Sequence, residues 1–142
     1  MTASIIYNGA LRCSTIHVQS GTQIETDAPT DNRGKGERFS PTDLTATSLG
    51  LCLITTVGIK ALDMGITLDG SELEVTKHMS KEPPRRIVQI DVVVKFKAGD
   101  IEDKDKTILE NTGNTCPVAK SLHPDVVQHI TYHWKTIGKG YL

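Results

Sequence analysis

No CxxC pair, no basic leader and no surplus of either charge mark this sequence, and each absence removes a class of function. The formal net charge of −1 excludes a strongly basic nucleic-acid binder and gives no ground for a role at a membrane surface. The opening MTASIIYNG lacks the basic start and apolar core of a signal peptide. Three cysteines, an odd number without CxxC spacing, argue against a secreted disulfide framework and against a zinc ribbon. The expected compartment is the cytoplasm, where a cysteine is either a small buried apolar residue or a chemical one. There is no internal repeat or low-complexity segment. A chain of 142 residues suits one domain, residues 1–142, with a substantial core.

Charge is missing in one place above all: between Asp43 and Lys60 there is none. The run is shorter than the ~20 apolar residues a bilayer needs, and Thr45, Thr47, Ser48, Thr55 and Thr56 interrupt it. It reads instead as the middle of a helix over residues 40–64 with both ends marked. Ser40 suits the N-cap, Pro41 the first helical position, and Asp43 the acidic place of a capping box. Gly65 closes the C-terminus. About 24 residues give a rod of roughly 36 Å, enough to cross a small domain. Apolar all round, it must be buried in protein.

Residues 2–7 and 10–18 alternate as strands joined at Asn8-Gly9, a dipeptide favoured in two-residue hairpin turns. Ser20-Gly21 turns the chain into a third strand, Gln23–Asp27. Arg12 shares its strand face with Ile16 and Val18. On an inward-leaning face it needs a carboxylate or an anion, and on an edge it reaches solvent. Residues 28–38, rich in Gly, Pro, Asp and Asn, form a loop; their GxG does not fit a strand–helix phosphate site.

Beyond the long helix, Glu72–Met79 alternates as a strand, Pro83-Pro84 breaks the chain, and residues 87–97 give the clearest strand, with Val88, Ile90, Val92, Val94 and Phe96 on one face. Asp100 is a candidate cap for a helix over 101–112, with Asp103 as reciprocal partner. Gly113-Asn114 stops it, and Cys116-Pro117 starts a short helix to about Leu122. A last strand spans 126–137, with Val126, Ile130, Tyr132 and Trp134 on its apolar face. His129 and His133 share a side but lie roughly 13 Å apart, too far for one metal. A site at Cys116 and His123 has two ligands at best.

Runs of strands flanking helices predict an α+β fold with a largely antiparallel sheet against the long helix. The small residues Ala46, Gly50, Val57 and Ala61 predict a face on which the helix packs against its own copy in a homodimer. Cys116, at a helix N-terminus, sits where a thiolate is favoured. Cys52 is mid-helix, where burial alone leaves a thiol inert unless a cation is brought to it. Unreactive core thiols remain the alternative for both, and Cys13 reads as packing.

FSPTDLTATSLGLC at 39–52, NTCPVAKSL at 114–122, the YNGALR start and the strand order together resemble the OsmC/Ohr family, the osmotically inducible and organic hydroperoxide resistance proteins, over essentially the whole chain. That resemblance implies an intertwined homodimer and a cysteine-based, thiol-dependent peroxidase acting on organic hydroperoxides, without metal or organic cofactor. Cys52 would be the peroxidatic residue and Cys116 the resolving one. An external dithiol, a lipoylated protein or a small thiol, would reduce their disulfide. The arginine serving Cys52 would be Arg12, with Arg38 as second candidate. In well-characterised hydroperoxide reductases an acid directly after the helix-starting proline holds that arginine; here Thr42 has that place and Asp43 follows, about 100° further round the helix. The alternative is a catalytically silent dimer that binds a small apolar or thiol-reactive ligand at its interface.

Overall fold

A computed structural model describes residues 1–136 and 139–141. The chain divides into two compact units, 1–45 and 46–142. The boundary falls inside the long helix α1, Pro41–Asp63.

The first unit is a three-stranded antiparallel sheet of β1 (Ala3–Gly9), β2 (Arg12–His17) and β3 (Gln23–Asp27), followed by a loop with one 3-10 turn at Thr30–Asn32. The first hairpin turns two residues later than Asn8-Gly9 suggests. Gly9 pairs with Arg12, the register shifts between Tyr7 and Gly9, and Ala10 and Leu11 both take positive φ, 52° and 62°. Positive φ at both central residues gives the turn the twist that the strands require, although neither residue is a glycine. Arg12 follows the turn as the first residue of β2 and, in the separate register of β2 on β3, stands opposite Asp27.

The second unit holds the remainder of α1, then β4 (Glu72–Met79), β5 (Ile87–Phe96), α2 (Asp103–Gly113), α3 (Pro117–Ser121), β6 (Val127–Thr136) and β7 (Lys139–Tyr141). Its sheet runs β4-β5-β6-β7. It is mixed rather than antiparallel, because β5 and β6 pair in parallel. Parallel neighbours need a crossover, and α2 and α3 supply it by returning the chain to the end where β5 began. Residue 137, included in the expected last strand, lies outside the described residues. α2 starts at Asp103, with Glu102 rather than Asp100 at its N-cap. The carbonyl of Glu102 accepts the first helical N–H groups, from Asp105 and Lys106; Asp103 and Asp105 then face the positive helix end.

Both ends of α1 are built as the sequence predicts. The Ser40 N–H donates to Asp43 Oδ2 at 2.9 Å and the Asp43 N–H to Ser40 Oγ at 3.1 Å, a reciprocal capping box. Gly65 adopts φ 69° and Ile66 N–H reaches back to the Ala61 carbonyl at 2.8 Å. The helix is long and apolar enough to cross a membrane, a test that core helices also pass.

The buried face of α1 corrects the expected dimer contact. Ala46, Gly50, Val57 and Ala61, with Leu49 and Leu53, are buried within their own unit, in one core with Ile90, Val92, Val94 and Phe96 of β5. Small residues there let the helix approach its own sheet: a Cβ on Gly50 would lie 2.8 Å from Val75 Cγ2. The uncovered apolar face is the opposite one, where Leu51, Ile59 and Leu62 are 61, 65 and 79 % exposed. A helix apolar all round thus buries one face in its own chain and leaves the opposite one uncovered.

Candidate active site

Within the second unit the fold brings Cys52 and Cys116 together. Cys52 projects from the middle of α1 beside the buried stripe, partly exposed, with Thr56 Oγ1 3.9 Å from its sulfur. Cys116 is the N-cap residue of α3, fully buried. Both are free thiols, and they lie close enough for Cys52 to perturb the Cys116 thiol.

The electrostatics of Cys116 differ from the helix-terminus expectation. Burial pushes its thiol up, and the hydrogen bond and charge of Cys52 push the same way. The N–H groups of Ala119 and Val118 do point at the sulfur and pull downward, as a helix N-terminus should, but desolvation outweighs them. A terminus of a five-residue helix is a small dipole against the loss of all solvent. Cys116 therefore holds its proton more firmly than an ordinary thiol.

The turn carrying Cys116 is shaped by residues that sequence reasoning missed. Tyr132 Oη donates to the Glu110 carbonyl (3.1 Å) and Asn114 Oδ1 (2.8 Å), and Trp134 Nε1 to Glu110 Oε1 at 2.9 Å. Gly113 makes room for this: a Cβ there would lie 2.6 Å from Tyr132 Oη. Gly113-Asn114 carries a sequence signal only as a helix stop, and Tyr132 only as one apolar strand position.

In the first unit Arg12 is held by Asp27. Its Nε donates to Oδ1 at 2.7 Å and its Nη2 to Oδ2 at 2.8 Å, a two-pronged pair, with Glu37 Oε1 at 3.9 Å. Asp27 is 1 % exposed and also accepts the Glu37 N–H at 3.1 Å. The hydrogen bond from Arg12 holds the Asp27 carboxyl at about 2, against the opposing effect of burial. Asp27 carries no signal beyond ending a strand, but its partnership follows from the register of β2 on β3. Arg38 contacts Glu25 (3.3 Å) and donates to the Glu37 carbonyl (3.0 Å). Asp43 closes the capping box with Ser40, and Cys13 lies partly buried in β2 between Tyr7 and Thr26.

A depressed carboxyl contributes stability above its unfolded value, near 3.8, and loses it as pH falls through about 2. Asp27→Asn is expected to lower stability at pH 7 and to flatten the fall in stability between about pH 4 and 2. Urea unfolding at pH 7, 4 and 2.5 measures it, and an acid limb identical to that of the parent protein would contradict it.

Among the described residues no group of three or more His, Cys, Asp and Glu side chains is arranged to hold a metal. His129 is exposed and lies 3.6 Å from Asp91 Oδ1, and His123 lies 3.7 Å from Asp125.

Comparison with known proteins adds three findings. The family model described as OsmC-like protein matches residues 34–130. A Psychrobacter arcticus 273-4 protein named for osmotic stress induction and a detoxification response is 50 % identical, with a TM-score of 0.89 over 94 % of this chain and 96 % of that one. More distant structures share the fold: an OsmC like protein from Mycoplasma pneumoniae (17 % identity, TM-score 0.76, 93 and 94 % covered) and an organic hydroperoxide resistance protein OsmC from Legionella pneumophila (14 %, 0.68, 92 and 93 %). Comparison with curated proteins finds no match.

Proposed function

Because this chain belongs to the OsmC/Ohr family of stress-response proteins, with its redox and antioxidant role, we propose that it is a thiol-dependent peroxidase that reduces organic hydroperoxides through Cys52 and Cys116. The observation that carries the reading is the juxtaposition of the buried Cys116 thiol with the partly exposed Cys52 in one core.

The chemistry follows from which thiol a substrate can reach, the partly exposed Cys52 rather than the buried Cys116. The Cys52 thiolate attacks the O–O bond of the hydroperoxide, forming an S–O bond and releasing an alkoxide that takes a proton to become the alcohol. Cys52 is now a sulfenic acid beside a protonated Cys116. The Cys116 sulfur attacks it, an S–S bond forms, and hydroxide leaves with the Cys116 proton as water. An external dithiol then reduces the disulfide by exchange and is itself oxidised. Hydrogen peroxide would follow the same course, with water as the first product. Arg12 is the cation that the family resemblance assigns to this chemistry, and Asp27 fixes the orientation of its guanidinium. Asp43, engaged with Ser40, is assigned to the helix start, and Arg38 remains the second candidate arginine.

Consumption of cumene hydroperoxide with dihydrolipoamide or dithiothreitol as reductant tests the reading. Thiol-dependent turnover supports it, and a purified, reduced protein that consumes no peroxide would sink it. A second reading, a silent dimer that binds a small apolar ligand, draws on a cavity of about 260 Å³ lined by Thr47, Gly50, Leu51, Ile54, Leu73 and Val75. Saturable binding of an apolar dye without peroxide turnover would favour it.

The proposed working form is a homodimer. Its support is the uncovered ridge of Leu51, Ile59 and Leu62 on α1 and, separately, the exposed Ile5, Ile6 and Ile24 of the first sheet. Sedimentation at micromolar concentration should give twice the 15.5 kDa chain mass, and a monomer there would refute the pairing.

A further inference from the structure

An aromatic ladder on β5 and β6 ends at the turn that leads into Cys116. Phe96 of β5 stacks on Trp134 with ring centroids 4.1 Å apart and on Tyr132 at 5.9 Å. These stacks fix the Tyr132 ring, and its hydroxyl then lies between two acceptors at the end of α2, the Glu110 carbonyl and Asn114 Oδ1. Burial, first, and the nearby charge of Glu110 push the phenol well up, so it stays a donor throughout the neutral range. Trp134 ties the carboxylate of the same Glu110. From Gly113 the chain runs directly to the sulfur, and the Cys116 N–H returns to the Gly113 carbonyl at 3.4 Å.

We infer that Tyr132 is the positioning residue of the resolving step: anchored on Glu110 and Asn114, its hydroxyl holds the turn that presents Cys116 to Cys52. This rests on the reading of Cys116 as the resolving thiol. The step has a strict geometric demand, since the Cys116 sulfur must meet the Cys52 sulfur opposite the departing hydroxide. The attack of Cys52 on peroxide makes no such demand on the turn. Loosening the turn therefore acts on the second step and spares the first.

The test mixes reduced protein with one equivalent of cumene hydroperoxide, with and without dimedone, and follows peroxide loss, disulfide and Cys52 adduct by mass spectrometry. Tyr132→Phe keeps the ring and removes the hydroxyl. The expected result is first-equivalent peroxide loss at the parent rate, disulfide formation slower by about three- to tenfold, and more dimedone adduct on Cys52. Asn114→Ala removes one acceptor while leaving Tyr132 intact. It should move the same readouts in the same direction, and it carries the test alone if Tyr132→Phe does not fold. Unchanged disulfide rates in folded variants, or equal slowing of both steps, overturn the inference while leaving Cys116 as resolving thiol. A parent protein that forms no Cys52–Cys116 disulfide overturns the reading beneath it.

Discussion

Cys52→Ser should lose thiol-dependent peroxide consumption to the buffer background, a fall on the order of 10³-fold or more, as removal of a nucleophile does. Serine keeps the shape of the site. What it lacks is the sulfur nucleophile. Cys116→Ser should behave differently. Its Cys52 still consumes the first equivalent of peroxide and then persists as a sulfenic acid that dimedone traps. Turnover with a dithiol becomes slower, because reduction must now proceed on the sulfenic acid itself. Stopped-flow peroxide consumption and adduct mass spectrometry separate the two variants. Equal loss of the first turnover in both would contradict the assignment of roles, and an unaltered rate in Cys52→Ser would end it.

The second large effect is on stability. Gly113→Ala should destabilise the protein by about 1–3 kcal/mol, although alanine is ordinarily the better helix residue by up to ~1 kcal/mol. The new methyl would stand 2.6 Å from Tyr132 Oη, 3.1 Å from Val57 Cγ2 and 3.3 Å from Leu53 Cδ2. The hydroxyl cannot yield without giving up its partners, and the two aliphatic side chains belong to the buried core. Steric conflict therefore outweighs propensity. Removing the hydroxyl creates the missing room, so Gly113→Ala with Tyr132→Phe should be less destabilised than the two single changes summed, by at least ~0.5 kcal/mol. Urea unfolding of the four proteins measures the cycle. Strict additivity would mean that the glycine is not there for the tyrosine.

How far the sequence discloses this site depends on how local each signal is. The Ser40–Asp43 capping box, the alternation of Ile90, Val92, Val94 and Phe96, and the N-cap place of Cys116 each depend on neighbours a few residues away, and all are visible in the string. The partnership of Arg12 with Asp27 depends on the register of β3 on β2, fifteen residues apart in the chain. The parallel pairing of β6 on β5 depends on the path of two helices. Small residues on α1 read equally well as a contact with a second copy or with the chain's own sheet; only the packed core distinguishes them. Tyr132 is least legible of all, because its role rests on a hydroxyl reaching across some twenty residues to Glu110 and Asn114.

The bare aliphatic ridge of α1 has a thermodynamic corollary. Covering a large aliphatic side chain is worth ~1.5–3 kcal/mol, so Leu51, Ile59 and Leu62 on two copies would supply on the order of 10 kcal/mol. Association itself costs ~4–15 kcal/mol. These terms are of similar size, so the proposed pairing obeys mass action over ordinary laboratory dilutions. Its melting temperature is then a function of how much protein is in the tube, and a titer must accompany any value quoted for it.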